Sequence, residues 1–170
     1  KKHDSLGLRE LSNKAISIAA VESDAFYGSL SVVTYALSKL LSKPHVLRSE
    51  LWPNFIRSMS RRINQAIVYA KENNLEGFRQ VLESIEEDIE KFDKEVGNYL
   101  HSLIEKAKVK QASRAYGMGI SPGQAASLTG ADRFELFKYI GTTKIHDRIE
   151  SVAKDVKSRL KTAKKLLLGE

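Results

Sequence analysis

Apolar residues recur at alternating intervals of three and four between residues 75 and 103, and this spacing constrains the fold more than any other feature of the chain. The series consists of Leu75, Phe78, Leu82, Ile85, Ile89, Phe92, Val96, Tyr99 and Leu103. Such intervals place side chains on one stripe of an α-helix, and they form a heptad seam over four heptads here. The sequence therefore predicts a long helix whose apolar stripe packs against another helix.

The residues that flank this seam indicate what packs against it. Eight acidic side chains stand against three basic ones between residues 76 and 95, so two such helices in parallel would bring like charges together. The C-terminal segment is a better partner, because it is basic and carries its own apolar stripe of Ile145, Ile149, Val152, Val156, Leu160, Ala163 and Leu167. We expect this segment to fold back antiparallel on residues 75 to 103.

Two further helices are predicted ahead of the seam from the same kind of spacing. The first covers residues 8 to 41, with a kink near Ser23. The second covers residues 52 to 72 and fades where two asparagines follow. Asn73 and Glu76, three residues apart, form a capping box that predicts the start of the next helix.

The chain has no strand-type alternation of useful length, and its 170 residues suffice for one domain with a small appendage. We therefore expect an all-α fold, an elongated bundle of long helices formed by residues 1–116 and 144–170. Within it, the seam and the C-terminal helix form an antiparallel coiled coil. A small separate unit is predicted at residues 117–143.

This unit carries the start and stop signals of two short helices joined by a tight turn. Ser121 can accept a hydrogen bond from the amide of Gln124, Pro122 suits the first helical position, and Gln124 can reach back to the cap. Gly130 then permits the left-handed backbone that a tight turn needs. The first helix is therefore predicted between Ser121 and Gly130.

A second capping pair, Asp132 with Glu135, predicts another helix from about residue 133 to 140 that ends at Gly141. With these residues in place, the sequence resembles the helix-turn-helix of prokaryotic DNA-binding regulators, and looks closest to that of small antitoxin-like proteins. The resemblance covers about residues 115 to 143 and is carried by Ala126, Gly130, Asp132, Leu136 and Tyr139. Thr129 stands where regulators often have an aliphatic residue before the turn glycine.

In such proteins the second helix enters the major groove of DNA, and its N-terminal side chains contact base edges. By position, the resemblance implies base contacts from Arg133 and Lys138, with Phe134 beside them. Thr142, Thr143 and Lys144 would lie near phosphates. The basic residues that lead into the motif would meet phosphates as well, namely Lys106, Lys108, Lys110 and Arg114.

The formal net charge of +7 is spread unevenly, and basic surface beside a helix-turn-helix favours a nucleic-acid partner. Double-stranded DNA is the first hypothesis, and RNA would use the same surface. The alternative is a protein-interaction or assembly module, including a homodimer. In it the seam pairs with another chain and the aromatic residues Phe134, Phe137 and Tyr139 dock a protein.

Catalytic and metal-binding patterns are missing from the sequence. No two of the four histidines have the spacing of a helical metal site, no Glu-x-x-His pattern occurs, and the chain has no cysteine. We expect a non-enzymatic protein without a cofactor. No window approaches the roughly 20 uncharged apolar residues of a membrane span, so we expect no membrane partner. The absence of cysteine suits a cytoplasmic protein.

Overall fold

The computed structural model describes residues 4–97 and 102–142, and every regular element within these two ranges is an α-helix. The helices pack as a bundle, which confirms the predicted all-α fold. Their bounds are α1 Ser5–Glu22, α2 Ala25–Leu41, α3 Pro44–Leu47, α4 Trp52–Lys71, α5 Leu75–Val96, α6 Leu103–Tyr116, α7 Pro122–Thr129 and α8 Arg133–Thr142.

The segment predicted as one kinked helix forms two helices, α1 and α2, so the prediction is wrong here. α1 ends at Ser23, whose φ of 56° lies in the left-handed region. Asp24 then caps α2, because its side chain accepts a hydrogen bond from the amide of Phe26 at 2.8 Å. This two-residue connection makes α1 and α2 antiparallel neighbours, and Ser12 Oγ donates to the carbonyl oxygen of Ser31 between them at 2.7 Å.

A second hairpin joins α4 to α5. α4 spans Trp52–Lys71, as the sequence predicts. The residue that caps α5 is Asn74, whose Oδ1 accepts a hydrogen bond from the amide of Gly77 at 2.9 Å. Asn73 has a φ of 55° and makes the turn instead, so the predicted cap is displaced by one residue.

The α5 part of the predicted seam is covered within the chain. Its central residues, Leu82, Ile85, Ile89 and Phe92, are buried in the larger hydrophobic cluster together with side chains of α2, α4 and α6. Phe92 stacks on Phe55 of α4, with ring centroids 4.2 Å apart and an interplanar angle of 22°. Phe78 is partly buried against the same cluster, and Tyr99 lies outside the described residues.

The seam does not continue as one helix to residue 103, so this part of the prediction is wrong. α5 ends before Gly97, which has an extended backbone, and Leu103 is the first residue of α6. Asp93 explains how the two helices meet, because its buried Oδ2 accepts a hydrogen bond from the amide of Leu103 at 2.9 Å. The carboxylate at the end of α5 therefore satisfies a free amide at the start of α6.

A second hydrophobic cluster joins the helix-turn-helix segment to the rest of the bundle. It contains Ile16 and Ala19 of α1, Ala112 and Ala115 of α6, Ala125 and Ala126 of α7, and Leu136 and Ile140 of α8. Gly28 of α2 lies so close to the carbonyl oxygen of Leu128 that a Cβ at this position would overlap it. Buried contacts thus hold α7 and α8 against α1, α2 and α6, and a separate unit at residues 117–143 stays a prediction.

The predicted C-terminal helix, with its stripe from Ile145 to Leu167, lies outside the described residues, and so does its pairing with the seam. Among the helices that are described, none combines the length and the apolar character that crossing a membrane requires. Interior contacts of the bundle position the candidate site.

Candidate nucleic-acid interface

The first helix of the motif, α7, begins and ends where the sequence predicts. Ser121 Oγ accepts a hydrogen bond from the backbone amide of Gln124 at 3.2 Å, and Pro122 is the first helical residue. Gly130 has a φ of 67° and a ψ of 22°, and its amide donates to the carbonyl oxygen of Ala126. A side chain at this left-handed position would strain the backbone, so glycine sets the turn between the two helices.

Two polar side chains of α7 behave differently from the expectation. Gln124 does not reach back to the cap, because its Nε2 donates a hydrogen bond to Ser23 Oγ at 2.9 Å and so ties α7 to the turn between α1 and α2. Thr129 is buried, and its Oγ1 donates to the carbonyl oxygen of Ala125 at 3.1 Å. With its hydroxyl satisfied inside α7, Thr129 fills the place that is often aliphatic in regulators.

The second helix, α8, is capped as predicted and runs further than predicted. Asp132 Oδ1 accepts a hydrogen bond from the amide of Glu135 at 2.9 Å. Leu136 and Ile140 are 0% and 3% exposed, so they define the buried side of α8. Gly141 lies within the helix, and the predicted stop at this residue is wrong.

An exposed stripe of α8 carries Phe134, Phe137 and Gly141, which are spaced at i, i+3 and i+7. Phe134 is 74% exposed and Phe137 is 57% exposed. Among the described residues, no atom lies within 4 Å of a Cβ added at Gly141, so they leave the helix backbone open there. We call this stripe the outer face of α8.

The two cations that the resemblance places on base edges lie on either side of the outer face. Both Arg133 and Lys138 are exposed. The guanidinium of Arg133 reaches over the start of α7, where its Cζ and Nη2 lie 3.9 Å from the position of a Cβ at Gly123. Lys138 lies on the opposite edge and lines a groove between α6 and α8. The outer face is thus apolar in its middle and basic at its two edges.

The groove between α6 and α8 is mixed in charge. It encloses about 280 Å³, and its charged lining consists of Lys106, Lys138, Glu105, Asp132 and Glu135. A phosphate in this groove would meet three carboxylates against two ammonium groups. The charged lining of the groove is therefore acidic on balance and does not suit a phosphate.

Lys108, a predicted phosphate contact, is engaged within the bundle. Its Nζ lies 3.0 Å from Glu105 Oε1 and 3.7 Å from Glu86 Oε2. Burial alone would lower the pKa of Lys108, but the hydrogen bond to Glu105 and the nearby carboxylates raise it above its ordinary value. Burial raises the pKa of Glu86, although the charge of Lys108 opposes this shift. Lys108 thus neutralises carboxylates on α5 and α6.

Lys110 is engaged as well, in a contact that the sequence did not reveal. Its Nζ donates a hydrogen bond to the hydroxyl of Tyr139 at 2.9 Å and lies 5.4 Å from the centre of the tyrosine ring. The two residues lie 29 positions apart in the chain, and no local pattern predicts that they meet. This contact links α6 directly to α8.

The other predicted phosphate contacts fall into two groups. Lys106, Arg114 and Thr142 are exposed, and Thr142 Oγ1 donates to the carbonyl oxygen of Tyr139 at 3.0 Å. Thr143 and Lys144 lie outside the described residues. Of the nine predicted contacts, the structure therefore leaves Arg133, Lys138, Lys106, Arg114 and Thr142 with exposed side chains near the motif.

The part of the chain that the structure describes holds no cluster of histidine, aspartate and glutamate side chains placed to bind a metal ion. No family model matches this chain, and neither a curated protein nor a solved structure matches it. The resemblance to helix-turn-helix proteins consequently stays a prediction.

Proposed function

We propose that the protein is a non-enzymatic nucleic-acid-binding protein of the regulator or antitoxin-like kind, and that it binds double-stranded DNA through α8. The observation that carries this proposal is the exposure of Arg133 and Lys138 on the two edges of the outer face. A cytoplasmic location is part of the proposal, since a chain without cysteine suits a reducing compartment.

The dimensions of α8 fit this role. A helix with its side chains is about 10–12 Å across, and the major groove of B-DNA is about 12 Å wide. Buried Leu136 and Ile140 hold one side of α8 against the bundle, so a different side is left for the groove. Arg133 at the helix start is placed where such helices contact base edges.

The positions of the exposed cations also support an orientation in which α8 faces the DNA. Arg133, Lys138 and Arg114 are exposed on or beside the motif, whereas Lys108 is held by two carboxylates. Positive side chains that neutralise phosphates release counterions, and binding then weakens steeply with salt. We therefore expect tight binding only at low ionic strength, with a salt dependence set by these few exposed cations.

The test is fluorescence anisotropy with a labelled mixed-sequence duplex over a series of salt concentrations. The charge reversal Arg133→Glu with Lys138→Glu should weaken binding at least tenfold at low salt and make binding less dependent on salt, since two positive side chains of the interface become negative. The matched control is Arg57→Glu with Arg61→Glu, two exposed cations of α4 that change the net charge equally.

The control variant should lose much less affinity than the motif variant. Equal losses would mean that binding follows net charge and not α8. The proposal fails if the wild-type protein does not bind duplex DNA at low salt, or if the motif variant binds as well as the wild type. Competition by structured RNA, measured with the same labelled duplex, tests the RNA hypothesis, because RNA should displace DNA only if it occupies the same surface.

A second candidate function, protein docking, is favoured by the exposure of Phe134 and Phe137. Exposed aromatic side chains in one stripe are typical of protein interfaces. The heptad seam of α5 gives less support to protein docking, because Phe92 is buried and Phe78 is partly buried within the chain. Light scattering over a concentration series tests the homodimer form, in which Phe134→Ser with Phe137→Ser should convert a dimer to a monomer.

A further inference from the structure

The outer face of α8 offers few hydrogen-bond donors in its middle. Phe134, Phe137 and Gly141 supply no polar side-chain atom, and their exposure leaves the two rings available to a partner. Arg133 reaches over the start of α7, and Lys138 lines the groove toward α6. A DNA base edge that faces the middle of α8 would therefore meet two phenyl rings and an open backbone.

The four bases differ in what they show to such a surface. In the major groove, guanine, cytosine and adenine present hydrogen-bonding groups, whereas thymine also presents the apolar C5-methyl group. Phenylalanine contacts this methyl group and has nothing to offer the polar groups of the other bases. A polar base edge placed against the two rings would lose its water without gaining a hydrogen bond.

We infer that α8 selects DNA by the C5-methyl groups of thymine, which Phe134 and Phe137 contact in the major groove; this inference rests on the DNA binding proposed above. The flanking charges complement this occupant, because Arg133 and Lys138 border the apolar stripe on its two sides and attract the anionic DNA. Gly141 leaves room for close approach of the helix backbone, since no atom of the described residues lies within 4 Å of a Cβ placed there.

The experiment compares two duplexes of one A·T-rich mixed sequence, one with thymine and one with uracil at every thymine position. Uracil lacks only the C5-methyl group, so base pairing and phosphate charge are unchanged. Wild-type protein should bind the uracil duplex more weakly, by about fourfold for each methyl group that a phenyl ring buries. Two such contacts thus predict that the affinity for the uracil duplex is lower than that for the thymine duplex by roughly tenfold to twentyfold.

The variant Phe134→Ala with Phe137→Ala should bind both duplexes alike, near the affinity of the wild type for the uracil duplex. Both side chains are exposed, so the variant should fold, which circular dichroism checks. The matched control is Leu6→Ala with Leu75→Ala, two apolar side chains that are each 69% exposed on α1 and α5. This control should keep the full preference for thymine.

The outcomes separate the inference from the proposed function. Equal affinity of the wild type for the two duplexes overturns the methyl inference and leaves DNA binding intact. A preference for thymine that survives in the double alanine variant also overturns it, since other residues then read the methyl groups. Absence of binding to either duplex overturns the proposed function together with the inference. If the two rings mediate dimerisation and not DNA contact, the wild type is a dimer and the double alanine variant is a monomer. This result would likewise overturn the inference.

Discussion

The ammonium group of Lys110 donates a hydrogen bond to the hydroxyl of Tyr139 across 2.9 Å and so connects α6 to α8. The sequence pattern places Lys110 among the phosphate contacts, because it stands in a basic run ahead of the motif. Its position indicates another role, in which it orients the helix that carries the candidate interface. Tyr139 of α8 thus contacts α6 through both its hydroxyl and its ring.

Lys110→Met and Tyr139→Phe should therefore have similar effects on stability, although only the first substitution removes a charge. Each removes one partner of a half-buried hydrogen bond, so we expect a loss of about 1 kcal/mol in the free energy of unfolding. The two losses should be strongly non-additive in a double-mutant cycle, measured by urea denaturation. Arg114→Met, at an exposed cation of the same helix, is the control and should leave stability within about 0.5 kcal/mol.

Gly28→Ala should destabilise the protein much more than Gly141→Ala. A Cβ at Gly28 would overlap the carbonyl oxygen of Leu128, so α2 and α7 would have to separate. Overpacking of this kind costs about 1–3 kcal/mol or more. Gly141 is also helical but meets no atom within 4 Å, and its replacement should raise the helix propensity by up to about 1 kcal/mol. Thermal denaturation of the two variants measures the difference, and equal effects would contradict the close contact of α2 with α7.

Features that depend on neighbouring residues could be predicted from the sequence. The caps at Ser121 and Asp132 and the left-handed Gly130 each involve residues at most four positions apart, and all three have the predicted geometry. The buried stripe of α5 was predictable for the same reason, because burial of one helix face leaves a three-and-four spacing in the sequence.

Features that depend on distant residues were missed. Asp93 caps α6 across ten positions, and Gln124 bonds to Ser23 across 101 positions. Neither pairing produces a periodic pattern in the sequence, because any carboxylate or amide side chain at the same place in the fold could make the hydrogen bond. The heptad spacing continued through the break between α5 and α6, and this continuity concealed the end of α5 at Gly97. The end of α5 at Gly97 could therefore not be predicted from the spacing of apolar residues.

Gly130→Ala should cost about 1–2 kcal/mol in the free energy of unfolding, because its φ of 67° is strained for a residue with a Cβ. The nearest side-chain atom to an added Cβ is Lys108 Cε at 3.8 Å, an ordinary contact, so the loss reflects the backbone and not crowding. Gly123→Ala is the matched control within the same motif, where the added Cβ would be 3.9 Å from Arg133 and the φ is not positive. Urea denaturation should show a clear loss for the first variant only.

The interactions of Asp88 predict how a fall in pH changes the stability of the hairpin formed by α4 and α5. Its carboxylate accepts hydrogen bonds from Arg62 Nε at 2.7 Å, from Arg62 Nη2 at 3.0 Å and from Ser58 Oγ at 2.9 Å. Burial alone would raise the pKa of Asp88, but these hydrogen bonds and the charge of Arg62 lower it below its ordinary value. The folded protein thus releases the Asp88 proton more readily than the unfolded chain does.

The stabilisation from Asp88 should be complete above the carboxyl pKa of the unfolded chain and disappear as the pH falls through the lower pKa of the folded state. Asp88→Asn should accordingly lower the free energy of unfolding by about 1 kcal/mol at neutral pH, since the pair is bidentate but only partly buried, and by progressively less in acid. Urea denaturation at a series of pH values measures this convergence. The control is Glu95→Gln, at an exposed carboxylate of the same helix, and its free energy of unfolding should change with pH as that of the wild type does. A constant difference in the free energy of unfolding between Asp88→Asn and the wild type across the acid range would contradict the assignment of the pKa shift to this pair.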